Sequence, residues 1–250
     1  MVWLNFPAGI LIASLATMVG LGGGVLWVPF LVFVMGLAPP EAILTSLAIQ
    51  IGGMASGGIA AVRQKRTDLK LALVLSAAAL PGVGFGVWLQ KMIDTQALVF
   101  LVGTACLVIG LVFVAAREDY RFKPREHVSL KEVFPHLWAP PAFSIVTGLL
   151  SVGVGDFLVP VLRNRLQMRM DAAIGTCLVV MSLNAVFAFI LHVSSGGSFS
   201  PHIAVFGLTG ALIGGQIGPR VAHRVPDQTL KEIFIYGLSL VGIHILFNAW

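Results

Sequence analysis

A chain of 250 residues that is 57% apolar and only 11% charged, with a mean hydropathy of +0.93, lies far outside the range of soluble globular domains and reads as an all-α integral membrane protein. Its net charge of +5 does not point to nucleic acid, because the basic residues sit in short clusters at the ends of apolar runs, where membrane topology places them. Cys106 and Cys177 both fall inside apolar segments without a CxxC partner, which excludes a disulfide framework, a zinc site and a thioredoxin-like motif.

Taken in chain order, Met1 to Asn5 lacks the positive region of a secretory signal, and the apolar run behind it is too long for a signal core. The N-terminus is therefore expected to belong to the mature fold. Phe6 to Leu37 is apolar but interrupted near its middle by Gly20-Leu21-Gly22-Gly23-Gly24, and reads as two half-helices. Spans of about 20 apolar residues, the length that crosses a hydrocarbon core, follow at Ala42 to Val62, Leu69 to Leu89 and Ala97 to Ala116. A polar link, Arg117 to Pro135, contains Ser129-Leu130-Lys131-Glu132, which predicts a capping box opening a short surface helix. A second interrupted stretch, Leu137 to Leu162, breaks at Gly153-Val154-Gly155, and spans at Ala172 to Val193, Ile203 to Val221 and Ile233 to Trp250 complete the chain.

The halves repeat. At an offset of 131 residues, Gly22, Gly24, Pro29 and Leu31 fall on Gly153, Gly155, Pro160 and Leu162, and Ala42, Ile43, Thr45 and Leu47 fall on Ala173, Ile174, Thr176 and Leu178. At an offset of 132, Gly82, Gly86, Gln96 and Leu98 align with Gly214, Gly218, Gln228 and Leu230. Residues 1–116 and 136–250 are thus predicted to be two copies of one unit, a broken hairpin plus three transmembrane helices, joined by the 117–135 linker.

Charge suggests how the copies are oriented. If the broken segments crossed fully, Arg63, Lys65, Arg66 and the linker would lie opposite Arg163, Arg165, Arg169, Arg220, Arg224 and Lys231, against the positive-inside bias. If each broken segment enters and leaves on one side, all of these clusters become cytoplasmic, while both termini, the Ser194 to Ser200 loop and the Gln90 to Gln96 turn become external. Three crossings per copy is an odd number, so the second copy is inverted, the plan of secondary transporters with discontinuous helices near the midplane. Two parallel four-span repeats are the alternative.

Non-helical backbone at membrane depth is tolerated only where protein or a water-filled cavity meets its N–H and C=O groups. Two such breaks imply one central cavity into which Gly22, Gly23 and Gly24, and Gly153 and Gly155, present amides and helix N-terminal ends, an environment for an anion. Pro29 and Pro160 fit in the first turns after each break. The plainer reading is that the glycines serve helix packing alone.

At these residues the sequence resembles a known family. Gly20-Leu21-Gly22-Gly23-Gly24-Val25-Leu26-Trp27-Val28-Pro29 and Gly148 to Pro160 are similar to the twice-occurring glycine-rich element of the TauE/SafE sulfite exporter family, and the resemblance continues through the Ala-Ile-x-Thr elements at Ala42 to Thr45 and Ala173 to Thr176. It covers essentially the whole chain. The resemblance implies a bacterial inner-membrane transporter of sulfur-containing anions such as sulfite or organosulfonates. Two positions depart from the family pattern: Val154 stands for a glycine, and Asp156 for an apolar or small residue.

Gly153-Val154-Gly155-Asp156 also spells the GxGD signature of intramembrane aspartyl proteases, but that chemistry needs a second carboxyl at depth. Asp68, Asp94, Asp119, Asp171 and Asp227 lie in loops or at span ends, so no enzyme is expected. Asp156 is read either as the N-cap of the second half-helix or as a buried carboxyl that takes up and releases a proton during transport. Thr45, Ser46 and Gln50 in the first span, with Thr176, Cys177 and Asn184 in its counterpart, could donate hydrogen bonds to an oxyanion or serve as interhelical glue. Met181 is the mate of Gln50. Gly53 with Gly57, Gly82 with Gly86, and the Gly210, Gly214, Gly218 series read as packing surface.

His192, His202, His223 and His244 have no ligand-like spacing, and Gly20 to Gly24 has no βαβ unit around it, so neither a metal nor a cofactor is expected. The partners implied are the lipid bilayer and a small anionic substrate, with no nucleic acid and room for a homo-oligomer. A gated anion channel on the same scaffold is the alternative to a carrier.

Overall fold

The computed structural model describes residues 2–115, 125, 128–221, 236, 239 and 242–243. In chain order its helices are α1 (Asn5–Val19), α2 (Gly24–Pro29, continued by a π-helical turn at Phe30–Val34), α3 (Pro39–Arg63), α4 (Leu69–Gln90), α5 (Thr95–Ala115), the short α6 (Leu130–Val133), α7 (Ala139–Leu150), α8 (Gly155–Asn164), α9 (Met170–Ser194) and α10 (Pro201–Val221). An isolated bridge between Arg125 and Met168 is the β feature among the described residues.

Both interrupted stretches are two helices each, and the first five predicted spans are single helices whose ends differ by a few residues from the expected ones. Most of the sixth span, Ile233 to Trp250, and of the 117–135 link falls outside the described residues. Sequence explains the ends. Ala38 and Arg169 are extended, so α3 and α9 begin abruptly after them, α3 with prolines in its first two positions, where no intrahelical donor is lost. Asp68 caps α4 by accepting the Leu71 N–H at 3.1 Å. The second broken stretch begins at Ala139 rather than Leu137, because Phe134–His136, holding Pro135, forms a 3₁₀ turn. The capping-box expectation holds only for the short helix itself: the Glu132 carboxylate is bound by Arg125 at 2.9 Å.

Helices α3, α4 and α9 are long and apolar enough to cross a membrane by length and composition. Large apolar side chains point outward all round the bundle, Leu73, Leu111 and Val205 being 60%, 66% and 60% exposed. In water such a surface would be an association hazard; in a bilayer it is the lipid-facing coat of an all-α membrane protein.

The helices interlock between halves. α1 packs along α10 and α7 along α4, while α3 lies against α9 and α10, and α9 against α4. Glycines set the closest crossings: Gly214 and Gly218 of α10 lie under the Ile10 and Ser14 carbonyls of α1, as Gly82 and Gly86 of α4 lie under the Pro141 and Ile145 carbonyls of α7. These contacts correspond pair by pair at the offsets of 131 and 132 residues read from the sequence. Small residues let backbones approach this closely in lipid, where dispersion rather than water drives association. The predicted packing role of these glycines is what the helices use.

Candidate functional site

The first break begins where Gly20, at φ 76°, ends α1 and the Leu21 N–H bonds back to the Ala16 carbonyl at 2.8 Å, the six-to-one bond of a Schellman turn. After Gly22, the Gly23 carbonyl accepts from Leu26 and Trp27 and starts α2. At the second break the same left-handed position is held by Ser151, at φ 62°, 131 residues after Gly20. A non-glycine residue there carries a cost of about 1–2 kcal/mol. Its side chain and carbonyl offset that: Ser151 Oγ lies 2.7 Å from Ser46 Oγ, and Gln50 Nε2 donates to Ser151 Oγ at 2.5 Å and to its carbonyl at 3.1 Å. Gln50 Nε2 also reaches Ser46 Oγ at 3.0 Å, as the spacing of four on α3 anticipates.

The two breaks meet. Gly22 lies so close to Gly153 that a Cβ on either would overlap the other's backbone, and Gly24 is seated equally tightly on the Ser151 carbonyl. Across this junction the Gly22 N–H donates to Asp156 Oδ1. Asp156 is fully buried, and its Oδ2 has no hydrogen-bond partner, with the Gly153 backbone nearby. Asp156 is therefore not the cap of its own helix. Val154 occupies the N-cap position of α8, no side chain caps that end, and the carboxylate crosses to the other hairpin instead. The reason is geometric: one residue into the helix, the side chain of Asp156 is aimed past its own amides towards the facing break.

The remaining predicted residues divide between junction and scaffold. Ser46 and Gln50 reach the second break from α3. Their counterparts on α9 are sulfur-bearing: Cys177 is buried in the core, and Met181 Sδ fills the space that side chains at Gly153 and Gly155 would occupy. Gly23 lies against Trp27 and Gln50. Thr45 and Thr176 are engaged elsewhere, Thr45 Oγ1 accepting the Ser200 N–H at 3.0 Å and Thr176 Oγ1 the Asp68 N–H at 3.1 Å, so each anchors the chain before a helix of the other half. Asn184 donates to its own helix at the Val180 carbonyl, 2.8 Å away, and its buried Oδ1 is unpartnered.

Three residues at the junction were not singled out from sequence. Ser151 could have been found as the polar mate of Gly20; Trp27 and Cys106, whose Sγ lies 3.7 Å from the Val25 carbonyl, carry no such mark. A small open pocket lies beside the first break, lined among others by Thr17, Met18, Arg66, Asp171 and Leu178. Ile174 separates it from Gly20. At its edge Arg66 Nε stands 3.6 Å from Asp171, which Arg169 also binds at 2.6 Å. The other described aspartates, Asp68, Asp94 and Asp171, sit at helix starts or the turns before them, so Asp156 has no carboxyl partner among the described residues for protease chemistry.

Comparison with known proteins is consistent along the whole chain. The sulfite exporter TauE/SafE family profile matches residues 5–245. Similar proteins include the probable membrane transporter protein YunE of Bacillus subtilis, 22% identical over 96% of this chain and 96% of its own length. A probable membrane transporter protein of Xylella fastidiosa is 23% identical over 99% and 95%. One of Haemophilus influenzae is 26% identical over 94% of each. No solved structure matches. With a profile match over nearly its full length, two helix breaks meeting inside the bundle and an apolar outer coat, the chain belongs to the TauE/SafE sulfite exporter family and is a membrane transporter, not an enzyme.

Proposed function

We propose that the protein is a secondary transporter of a small sulfur-containing oxyanion, sulfite or an organosulfonate, coupled to a proton carried by Asp156. The observation that carries this reading is the bond from the Gly22 amide to a buried carboxylate: a backbone donor that holds one oxyanion oxygen can hold another. Gly22, Gly23, Gly24, Gly153 and Gly155 would form the site, with Ser46, Gln50 and Cys177 as its walls. Thr45, Thr176 and Asn184 would support those walls through the backbone bonds described above. The site lies between two repeats inverted in the plasma membrane, both termini outside and the 117–135 linker in the cytoplasm. The approach of Arg66, after the end of α3, to Asp171 at the start of α9, and of Thr45 near the start of α3 to Ser200 beyond the end of α9, supports the inversion, as does the clustering of Arg63, Lys65, Arg66, Arg163, Arg165 and Arg169.

Uptake of labelled sulfite and a sulfonate into vesicles, with accelerated exchange against internal unlabelled anion, tests the carrier; flux without exchange acceleration would indicate a channel. Accompanying proton movement, and its loss in Asp156→Asn, tests the coupling, and unchanged pH dependence in that variant would remove it. Thermal stabilisation across sulfite, thiosulfate, sulfonates and simple carboxylates ranks the substrate class, since a ligand that binds the folded state raises its melting temperature.

A further inference from the structure

We infer that the Asp156 carboxylate is a tethered occupant of the oxyanion site: it holds the Gly22 amide when substrate is absent, and the substrate binds by displacing it. The inference rests on the anion-transport reading and specifies how that same site is regulated.

Four observations carry it. The carboxylate leaves its own helix end uncapped and crosses to the facing break, where Gly22 donates to it. It is fully buried, yet Oδ2 has no partner, and among the described residues no lysine or arginine pairs with it. A carboxylate placed for stability alone would be ringed by donors, because an unsatisfied buried acceptor is expensive. The side chains packed on the two tips are soft and movable, the Cys106 thiol of α5 at the Val25 carbonyl of the first and the Met181 thioether of α9 against Gly153 and Gly155 of the second. Lastly, the equivalent position in the first half is Val25, so only the second tip carries a charge of its own, and it carries it to the amide of the first.

A carboxylate and a sulfonate or hydrogensulfite present the same feature to a single amide, a partly charged oxygen on a compact trigonal or tetrahedral centre. The tether therefore competes with its substrate for one donor. Occupied by Asp156, the two breaks are latched together; with the carboxylate released, the second break is still held to α3 by the Ser46, Gln50 and Ser151 bonds while its bond to the first is gone, so substrate binding and loosening of the junction become one event.

The test is sulfite binding to the purified full-length protein at one fixed pH, for wild type, Asp156→Asn and Asp156→Ala, with melting in the absence of sulfite as the check on folding. Removing the competitor for the amide should tighten sulfite binding about tenfold or more in Asp156→Ala, with a smaller gain in Asp156→Asn, whose amide oxygen can still accept from Gly22, while transport turnover falls in both. Binding that is unchanged or weaker in both overturns the tether and, if the wild type binds, leaves anion transport standing. Absence of binding in all three overturns both. Wild-type protein gives an independent reading where the variants do not fold. A sulfite-induced infrared difference spectrum should contain a carboxylate band from the released group, and a spectrum without carboxyl features overturns the inference.

Discussion

At the first break Gly20 turns the chain through the left-handed region and bare amides follow; at the second, Ser151 holds the same conformation and a carboxylate follows. The α3 wall beside the junction is hydrogen-bonding, Ser46 and Gln50, whereas the α9 wall at equivalent positions is sulfur, Cys177 and Met181. The backbone plan is shared because both halves must break a helix inside the bundle and leave room for the other's tip. The chemistry has diverged because a pair of tips needs only one set of donors and one acceptor: the first half supplies the Gly22 amide, the second the group that fills it. The shared backbone plan brings the two tips together, and the asymmetry between them makes their contact polar.

Changes that force the halves to be alike, or further apart, test that comparison. The largest effect is expected for Gly22→Val: its Cβ would overlap Gly153, so melting should report a loss of about 3 kcal/mol, the upper end of overpacking costs, and transport should vanish. Gln50→Leu leaves the buried Ser151 carbonyl and hydroxyl without their amide donor and should cost about 2 kcal/mol by denaturant unfolding or melting. Thr45→Val and Thr176→Val each strand one backbone N–H, of Ser200 or Asp68, and should lower stability by about 1–2 kcal/mol apiece; because the two bonds are equivalent between halves, unequal losses would break the symmetry argument. Ser151→Gly, which makes the second break like the first, gains the relief of a left-handed serine and loses its hydroxyl bonds, so its net change should stay within about 1 kcal/mol. Arg66→Gln removes a pair about one-third exposed at each partner and should shift stability by about 0.5 kcal/mol or less.

The broken stretches were legible because glycine clusters and prolines act locally, and the matched glycine crossings because a fixed offset recurs wherever close backbone approach demands the same residue. Ser46 and Gln50 could be paired from their spacing on one helix. Partners across the fold could not. Asp156 looks like a helix cap because capping is a neighbourly act, and only the tertiary approach of Gly22 reveals where its carboxylate goes. Thr45 and Thr176 look like free donors until Ser200 and Asp68, 155 and 108 residues away, are placed against them. The wall at Met181 was visible as an apolar substitution, yet its filling of the space above Gly153 and Gly155 depends on how α9 lies against the second tip.

The central claim, that the two helix breaks share one oxyanion site at Gly22, is tested most directly by following the Gly22 amide in protein labelled with ¹⁵N-glycine and carbonyl-¹³C leucine, its resonance assigned through the single Leu-Gly pair of the sequence, Leu21-Gly22. The account predicts a strongly hydrogen-bonded amide that shifts when sulfite is added and shifts in Asp156→Asn without it. A Gly22 resonance indifferent to saturating sulfite, while glycines elsewhere in the bundle respond, would contradict it.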